Sequence, residues 1–134
     1  MKVFKELTIV TPNKPGKLAE ALRAVASARV NLIAIDASSG YDLNMVRLVT
    51  SGPQKARKAL EKLGYNVTEA TVLGVTISDK PGRLASIASI FARSHAHIEY
   101  MYASAVAHDQ QVMVIVHVAN PIKGERALRA AKVI

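Results

Sequence analysis

Two segments of the chain place apolar residues at helical spacing, and the two segments match each other. In each, apolar residues recur at positions i, i+3, i+4, i+7 and i+8, which makes one apolar stripe along a helix. The stripes are Leu18, Ala21, Leu22, Val25 and Ala26 in the first segment, and Leu84, Ile87, Ala88, Phe91 and Ala92 in the second. The spacing therefore predicts two amphipathic helices, 66 residues apart.

Runs rich in β-branched and other apolar residues surround both predicted helices, and polar hinges separate them. The predicted strands are 7–11, 30–38 and 45–50 in the first half, and 72–78, 96–104 and 112–119 in the second half, with hinges at 39–42 and 108–111. Pro53 and Pro121 then each open a second helix, a position that favours proline. The order β-α-β-β-α-β therefore occurs twice.

This order predicts an α+β protein of two ferredoxin-like modules, each an antiparallel sheet with both helices on one face. We expect the modules at 1–71 and 72–134. In the first, Gly64 ends the second helix and 65–72 supplies a last strand. In the second, the chain stops at 132–134, so this strand is either a stub or is replaced by a strand from elsewhere. Each sheet has a bare face and an open edge, which favours paired modules and a homodimer.

Each first helix is preceded by a proline-glycine corner, Asn13-Lys14-Pro15-Gly16 in one half and Asp79-Lys80-Pro81-Gly82 in the other. Proline at the helix start leaves no N–H to satisfy, and glycine lets a ligand approach the backbone closely. Asn13 and Asp79 are expected to cap the helices. Unpaired amides and the helix dipole then suit a carboxylate, with basic side chains beside it. The simpler alternative is that the corner is only a good helix start.

One pattern occurs twice in register: a strand, then [Asp/Asn]-x-Pro-Gly-x-Leu, an amphipathic helix and an apolar strand. This repeated pattern resembles the ACT domain, a small-molecule regulatory module. The segment 97–103 is also similar to the second strand of free-standing tandem ACT proteins. The resemblance covers essentially the whole chain and implies a non-catalytic protein that binds an amino acid. In serine-regulated ACT modules, ligand contacts come from the Asn before x-Pro-Gly and an Asn between first helix and second strand. These positions hold Asn13 and Asn31 in the first copy, and Asp79 and His97 in the second.

One departure from the family concerns the end of the first helix, where ACT domains usually carry glycine. Arg29 and His95 stand there instead, so different capping is expected at these ends. The candidate ligand-binding residues lie in the two corners, at the helix starts and after the helices: Asn13, Lys14, Pro15, Gly16, Leu18, Asn31, Asp79, Lys80, Pro81, Gly82, Leu84 and His97.

The composition narrows the alternatives. Half of the residues are hydrophobic and cysteine is absent, which fits a packed cytoplasmic protein without disulfides or thiolate metal sites. No apolar run is long enough to cross a membrane. The sequence has no phosphate-binding glycine loop or nucleophile elbow, and its four histidines lack a metal-binding motif, so neither a cofactor nor a metal is expected.

The net charge of +8 is the one feature that favours nucleic acid as a partner. The basic residues are spread along predicted helices, however, and only Tyr100 and Tyr102 could stack on bases. Three hypotheses remain at this point: an amino-acid sensor, a regulatory subunit acting by contact with a metabolic enzyme, and a nucleic-acid-binding protein. The sequence favours the first.

Overall fold

The structure, a computed structural model, describes residues 1–104 and 109–133. These residues form six strands and four helices, in the order β1 Lys2–Pro12, α1 Lys17–Ser27, β2 Leu32–Ser39, β3 Leu43–Thr50, α2 Pro53–Lys62, β4 Thr68–Ser78, α3 Arg83–Arg93, β5 Ile98–Ala103, β6 Gln111–Val118 and α4 Pro121–Ala130. The chain divides into two compact units. The N-terminal unit is Lys5–Ala70, and the C-terminal unit combines Met1–Phe4 with the chain from Thr71 onward.

The N-terminal unit has the strand order β2-β3-β1, with antiparallel pairing throughout. Leu7 and Ile9 alternate with the more exposed Thr8 and Val10 along β1. They share a core with Val46 and Leu48 of β3. Residues of both helices complete this core, namely Ala21, Val25, Ala56 and Leu60. Both helices therefore cover one face of the sheet, as the repeat predicts.

The C-terminal unit repeats this arrangement with the strand order β5-β6-β4, again antiparallel. Leu73 and Val75 of β4 share a core with alternate residues of β6. Phe91 of α3 and Leu128 of α4 fill the same core and are fully buried. The predicted α+β, ferredoxin-like architecture is confirmed in both halves, and Pro53 and Pro121 open α2 and α4 as expected.

The junction between the two repeats differs from the prediction. Two strands were expected there, at 65–72 and 72–78, whereas the structure has the single strand β4. Between Thr68 and Ser78 there is no proline and no polar turn sequence to interrupt the extended chain. The division between the units falls within β4, between Ala70 and Thr71.

Residues from the start of the chain join the C-terminal unit. Met1 packs against its core, and Phe4 covers Gly74 so closely that a Cβ at Gly74 would lie 2.5 Å from Cε2 of the Phe4 ring. After α4, residues 131–133 form no strand. Of the two expected solutions for the incomplete second copy, the structure favours a contribution from elsewhere in the chain.

The helix ends correct a second expectation. Because Arg29 and His95 stand where the family usually has glycine, these helix ends were expected to lack the left-handed cap. Both residues nevertheless adopt the left-handed conformation, with φ of 59° and 54°. Gly64 and Lys132 do the same after α2 and α4. After three of the helices the next amide then donates back to the last turn, as in a Schellman motif: Tyr65 to Leu60, Ala96 to Phe91 and Val133 to Leu128.

Arg57 connects α2 to β4 within the N-terminal unit. It donates to Oε1 of Glu69 at 2.7 Å and to the carbonyl of Val67 at 3.2 Å, and it lies 3.3 Å from Glu61. The hydrogen bond from Arg57 lowers the pKa of Glu69 below its ordinary value, because it stabilises the ionised carboxylate.

Candidate ligand-binding site

Each proline-glycine corner is a β-turn rather than the first turn of a helix. The amide of Lys17 donates to the carbonyl of Lys14 at 3.3 Å, and Gly16 has φ 87° and ψ −14°. These are the geometry and residues of a type II turn, with proline second and glycine third. Lys80 to Arg83 repeat the turn, with Gly82 at φ 86° and ψ −10°. The expectation that Pro15 and Pro81 begin the helices is wrong, since α1 and α3 begin two residues later.

The prediction that Asn13 and Asp79 cap α1 and α3 is also wrong. Gly16 and Gly82 occupy the N-cap positions, and neither Asn13 nor Asp79 caps its helix. The first helical bond in α1 runs from Glu20 N–H to the carbonyl of Gly16 at 2.9 Å, which leaves the amides of Leu18 and Ala19 without a partner inside the helix. Because no side chain fills the cap within the described part of the chain, these amides are available to an external acceptor.

The corners are open to solvent. Asn13, Lys14, Pro15 and Gly16 are all exposed, and so are their counterparts 79–82. A Cβ built at Gly16 or at Gly82 would have no described heavy atom within 4 Å. A small molecule could therefore approach the turn backbone at either corner.

A β-hairpin holds each corner in place, a support that the motif itself does not reveal. The amide of Asn13 donates to the carbonyl of Asp42 at 2.8 Å, and Nδ2 of Asn13 donates to the carbonyl of Tyr41 at 3.3 Å. In the second copy the amide of Asp79 donates to the carbonyl of Gln110 at 2.8 Å. With Nδ2 of Asn13 engaged in this way, its Oδ1 is the atom that could accept a ligand ammonium group.

The other two candidate side chains lie far from the corners of their own units. Asn31 follows α1 and His97 follows α3, whereas the corners precede these helices. A helix of 11 residues is about 16 Å long at 1.5 Å per residue. Within a unit, Asn13 and Asn31 are thus at opposite ends of a helix, and the same holds for Asp79 and His97.

The backbone around Asn31 is well fixed. The backbone amide of Asn31 donates to Oγ of Ser51 at 2.8 Å, and the backbone carbonyl of Asn31 accepts from the Ser51 amide at 2.9 Å. His97 makes the corresponding backbone contact with Ala119 at 3.0 Å. His97 also lines a groove of ≈ 440 Å³ at the end of α3, together with His95 and Ile98.

The side chains next to the corners differ between the copies. In the first copy, Nζ of Lys17 lies 3.6 Å from Oε2 of Glu20, and Leu18 packs against the core of the N-terminal unit. In the second copy Ser86 replaces Glu20 and donates its hydroxyl to the Gly82 carbonyl at 3.0 Å, while Leu84 is 42% exposed. An exposed leucine beside the corner could contact an apolar ligand side chain, so the second copy offers a different surface from the first.

Other combinations of reactive side chains give no rival site. Among residues 1–104 and 109–133, no three histidines or carboxylates come together as metal ligands. His108 lies outside these residues. Nδ1 of His117 lies 2.9 Å from Glu99, and the His117 ring stacks on Tyr100 with centroids 4.8 Å apart. Asp36 is bound by Arg47 at 3.0 Å. In the described ranges no helix is long and apolar enough to cross a membrane.

Comparison with known families decides what kind of protein this is. Residues 1–132 match the model of a family described as the ACT domain pair. The chain belongs to this family. The ACT domain pair covers both units, including the two corners and the residues that follow α1 and α3.

Solved structures agree with this assignment. The chain is similar to protein BT0572 from Bacteroides thetaiotaomicron, with a TM-score of 0.90 and 31% identity over 98% of this chain and 90% of that one. The regulatory subunit of aspartate kinase from Thermus thermophilus gives a TM-score of 0.70 at 18% identity, covering 97% of this ACT pair and 95% of that chain. The corresponding Thermus flavus subunit gives 0.60 at 17% identity, over 98% and 95%. The likeness to the two kinase subunits is one of fold. No curated protein matches this ACT pair.

Proposed function

We propose that this ACT domain pair is a non-catalytic sensor that binds a free amino acid at its proline-glycine corners and controls a protein of amino-acid metabolism. The observation that carries the proposal is the open type II turn at each corner, which presents helix N-terminal amides beside Lys14 in one copy and Lys80 in the other. Amides and cations suit a carboxylate, and a nearby amide oxygen or carboxylate suits an ammonium group.

The two asparagines proposed to contact the ligand, Asn13 and Asn31, act from different modules. Since Asn13 and Asn31 lie at opposite ends of α1, one small ligand cannot touch both within a unit. We propose that a second copy of the chain supplies the missing half, so that the binding form is a homodimer. Exposed apolar side chains on the N-terminal sheet support association, since Val10 and Met45 are paired in register and are 45% and 39% exposed.

The regulated partner is proposed to be a metabolic enzyme. Two of the similar structures are named as regulatory subunits of aspartate kinase, and this chain aligns with almost the whole length of each. Membership of the ACT family, a small-molecule regulatory module, supports non-catalytic action.

A thermal-shift screen with the twenty amino acids tests the proposal. A ligand present at about 100 times its Kd stabilises the folded state by roughly 2.7 kcal/mol, which raises the Tm by several degrees. Asn13→Ala and Asn31→Ala should each reduce this shift. Asn66→Ala removes an exposed amide that is not among the proposed ligand contacts and should leave the shift unchanged.

Two results would count against the proposal. One is that none of the twenty amino acids at millimolar concentration changes the Tm. The other is that a ligand does bind, but Asn66→Ala weakens it as much as Asn13→Ala does. Light scattering with and without the ligand checks the homodimer separately.

A further inference from the structure

A groove with a volume of ≈ 540 Å³ runs between α1 and α2 on the surface of the N-terminal unit. Short side chains line it, with Ala24 on α1, Ala28 directly after α1 and Ala59 on α2. Leu63, at the end of α2, also lines the groove and is 42% exposed. An apolar channel between two helices has the shape that accepts a third helix, because side-chain ridges of one helix fit between the rows of its neighbours.

Three lysines line the same groove. Lys55, Lys58 and Lys62 lie along one side of α2 and are all exposed. None of their ammonium groups has a carboxylate within 4 Å in the portion of the chain that the structure describes. The acid of this helix, Glu61, is turned toward Arg57 instead. The groove therefore combines an apolar lining with a row of positive charge that the unit itself does not neutralise.

Two interactions of these lysines are unfavourable for the helix. Lys55 lies in the first turn of α2, where the helix dipole is positive and where no acidic residue is present. Lys58 and Lys62 are four residues apart, so that their like charges repel each other. A bound anionic partner would relieve both interactions.

The repeat shows that the groove is not a consequence of the fold alone. At the positions that correspond to Ala24 and Ser27, the C-terminal unit carries Ile90 and Arg93, and Ile90 is buried in the core. Lys62 and Leu63 correspond to Ala130 and Ala131. The same helix pair thus has bulkier side chains on one helix and has lost part of the basic row on the other.

We propose that this groove is the docking site for an acidic amphipathic helix of a partner protein. Acidic side chains of such a helix would pair with the three lysines, and its apolar stripe would cover the alanines and Leu63. A nucleic acid would pair with the lysines but would leave Leu63 uncovered. The proposal concerns a face of the helices and does not depend on amino-acid binding at the corners, so the thermal-shift screen and the test below can fail independently.

The test uses the full chain and a fluorescein-labelled peptide of about 18 residues, long enough to form a helix, with leucines at i, i+3, i+4 and i+7 and glutamates on both flanks. Binding is followed by fluorescence anisotropy. The double variant Lys58→Glu, Lys62→Glu should weaken binding by roughly tenfold or more. Leu63→Ser should weaken it by about threefold or more, because it removes apolar contact area. Both variants alter exposed side chains, and thermal unfolding confirms that they fold.

Matched controls come from the other helix pair. Lys123→Glu with Arg126→Glu makes the same change in charge on α4, and Ile122→Ser removes an apolar side chain that is 64% exposed. Both should leave the affinity within about twofold. The proposal is overturned if the wild type does not bind the peptide, or if the control variants weaken binding as much as the groove variants. It is also overturned if a DNA duplex binds more tightly than the peptide, with the same dependence on the lysines and none on Leu63.

Discussion

At the scale of single residues, positive φ angles shape both the corner turns and the helix ends. Gly16 and Gly82 use the left-handed region to form the corner turns, where glycine is the residue that adopts it without strain. Arg29 and His95 adopt it at helix ends despite their Cβ atoms. The geometry typical of a glycine cap is therefore present, and the chain tolerates the associated strain.

Replacement of Arg29 by glycine should stabilise the N-terminal unit. Relief of left-handed strain is worth about 1 kcal/mol, less the extra freedom that glycine gains in the unfolded chain. Arg23→Gly serves as the control of opposite sign, since glycine inside α1 should destabilise by about 1 kcal/mol. Urea denaturation measures both. If Arg29→Gly were as destabilising as Arg23→Gly, the left-handed cap would not exist in solution.

The corners show what residue types alone could and could not predict. Pro-Gly correctly indicates a change of direction before a helix, and the exposure of the corner follows from its polarity. The same residues fit a helix start and a type II turn equally well, however. Only the hydrogen bond from Lys17 to Lys14, which depends on the path of the chain into α1, separates the two. The hairpin carbonyls that hold Asn13 could not be predicted, because every residue type has a backbone carbonyl.

At the scale of secondary-structure elements, stability depends on how closely the helices approach the sheets. In the C-terminal unit, α4 carries Gly124 against the sheet. A Cβ at this residue would lie 2.8 Å from Val118, 3.1 Å from Leu73 and 3.4 Å from Phe91. A helix-weakening residue is thus placed where the core leaves no room for a side chain.

Gly124→Leu should destabilise the protein by roughly 1 to 3 kcal/mol, because it forces a large side chain into a filled core. Lys123→Leu changes the adjacent, exposed position of the same helix and should have little effect. Chemical denaturation measures the difference. Equal stabilities of the two variants would mean that α4 does not lie so close to the sheet.

The Arg57–Glu69 contact predicts a pH dependence. Because its folded-state pKa is lowered, Glu69 contributes stability that is fully present above its unfolded pKa of about 4.3 and is lost as the pH falls through the folded value. The difference in unfolding free energy between the wild type and Glu69→Gln should therefore be largest near neutral pH and shrink in acid. In an Arg57→Ala background the same substitution should show a much smaller dependence, because Arg57 is the main cause of the lowered pKa. Retention of the full dependence there would assign it to another partner.

Element positions were predictable from periodicity, whereas the junction was not. Most helices and strands begin and end close to the expected residues because their apolar spacing matches the faces that pack. The exception is β1, which was predicted at 7–11 and begins five residues earlier, at Lys2. The repeat predicts modules at 1–71 and 72–134, whereas the compact units of the structure are Lys5–Ala70 and Met1–Phe4 together with the chain from Thr71 onward. The chain continues through the boundary between Ala70 and Thr71 as the single strand β4. No turn is needed there, because successive parts of one strand can belong to different units.

At the scale of the whole molecule, the two units are not simple consecutive halves of the chain. Met1–Phe4 belong to the C-terminal unit, whereas the remainder of β1 belongs to the N-terminal unit. The repeat in the sequence does not indicate which residues supply a last strand to the C-terminal unit. Which residues would compensate depends on a contact between Phe4 and Gly74, about 70 residues apart in the sequence, and long-range contacts of this kind leave no periodic signal.

Phe4→Ala should destabilise the C-terminal unit by about 1 to 3 kcal/mol, somewhat less than the loss of a fully buried ring. Amide exchange at Leu73 and Val75 should accelerate with it. Val3→Ala, at a residue that is 50% exposed, should change neither. If the two substitutions had the same effect, the first residues would not form part of this core.

The open corner turns are the proposed place at which a small amino acid is recognised. The most direct measurement is an amide-resolved NMR titration of the full chain with the amino acid that raises its Tm most. We predict that the largest shifts occur at the amides of Leu18 and Ala19, or of Leu84 and Ala85, with saturation at millimolar ligand or below. Saturable shifts that avoid both pairs of amides would contradict it.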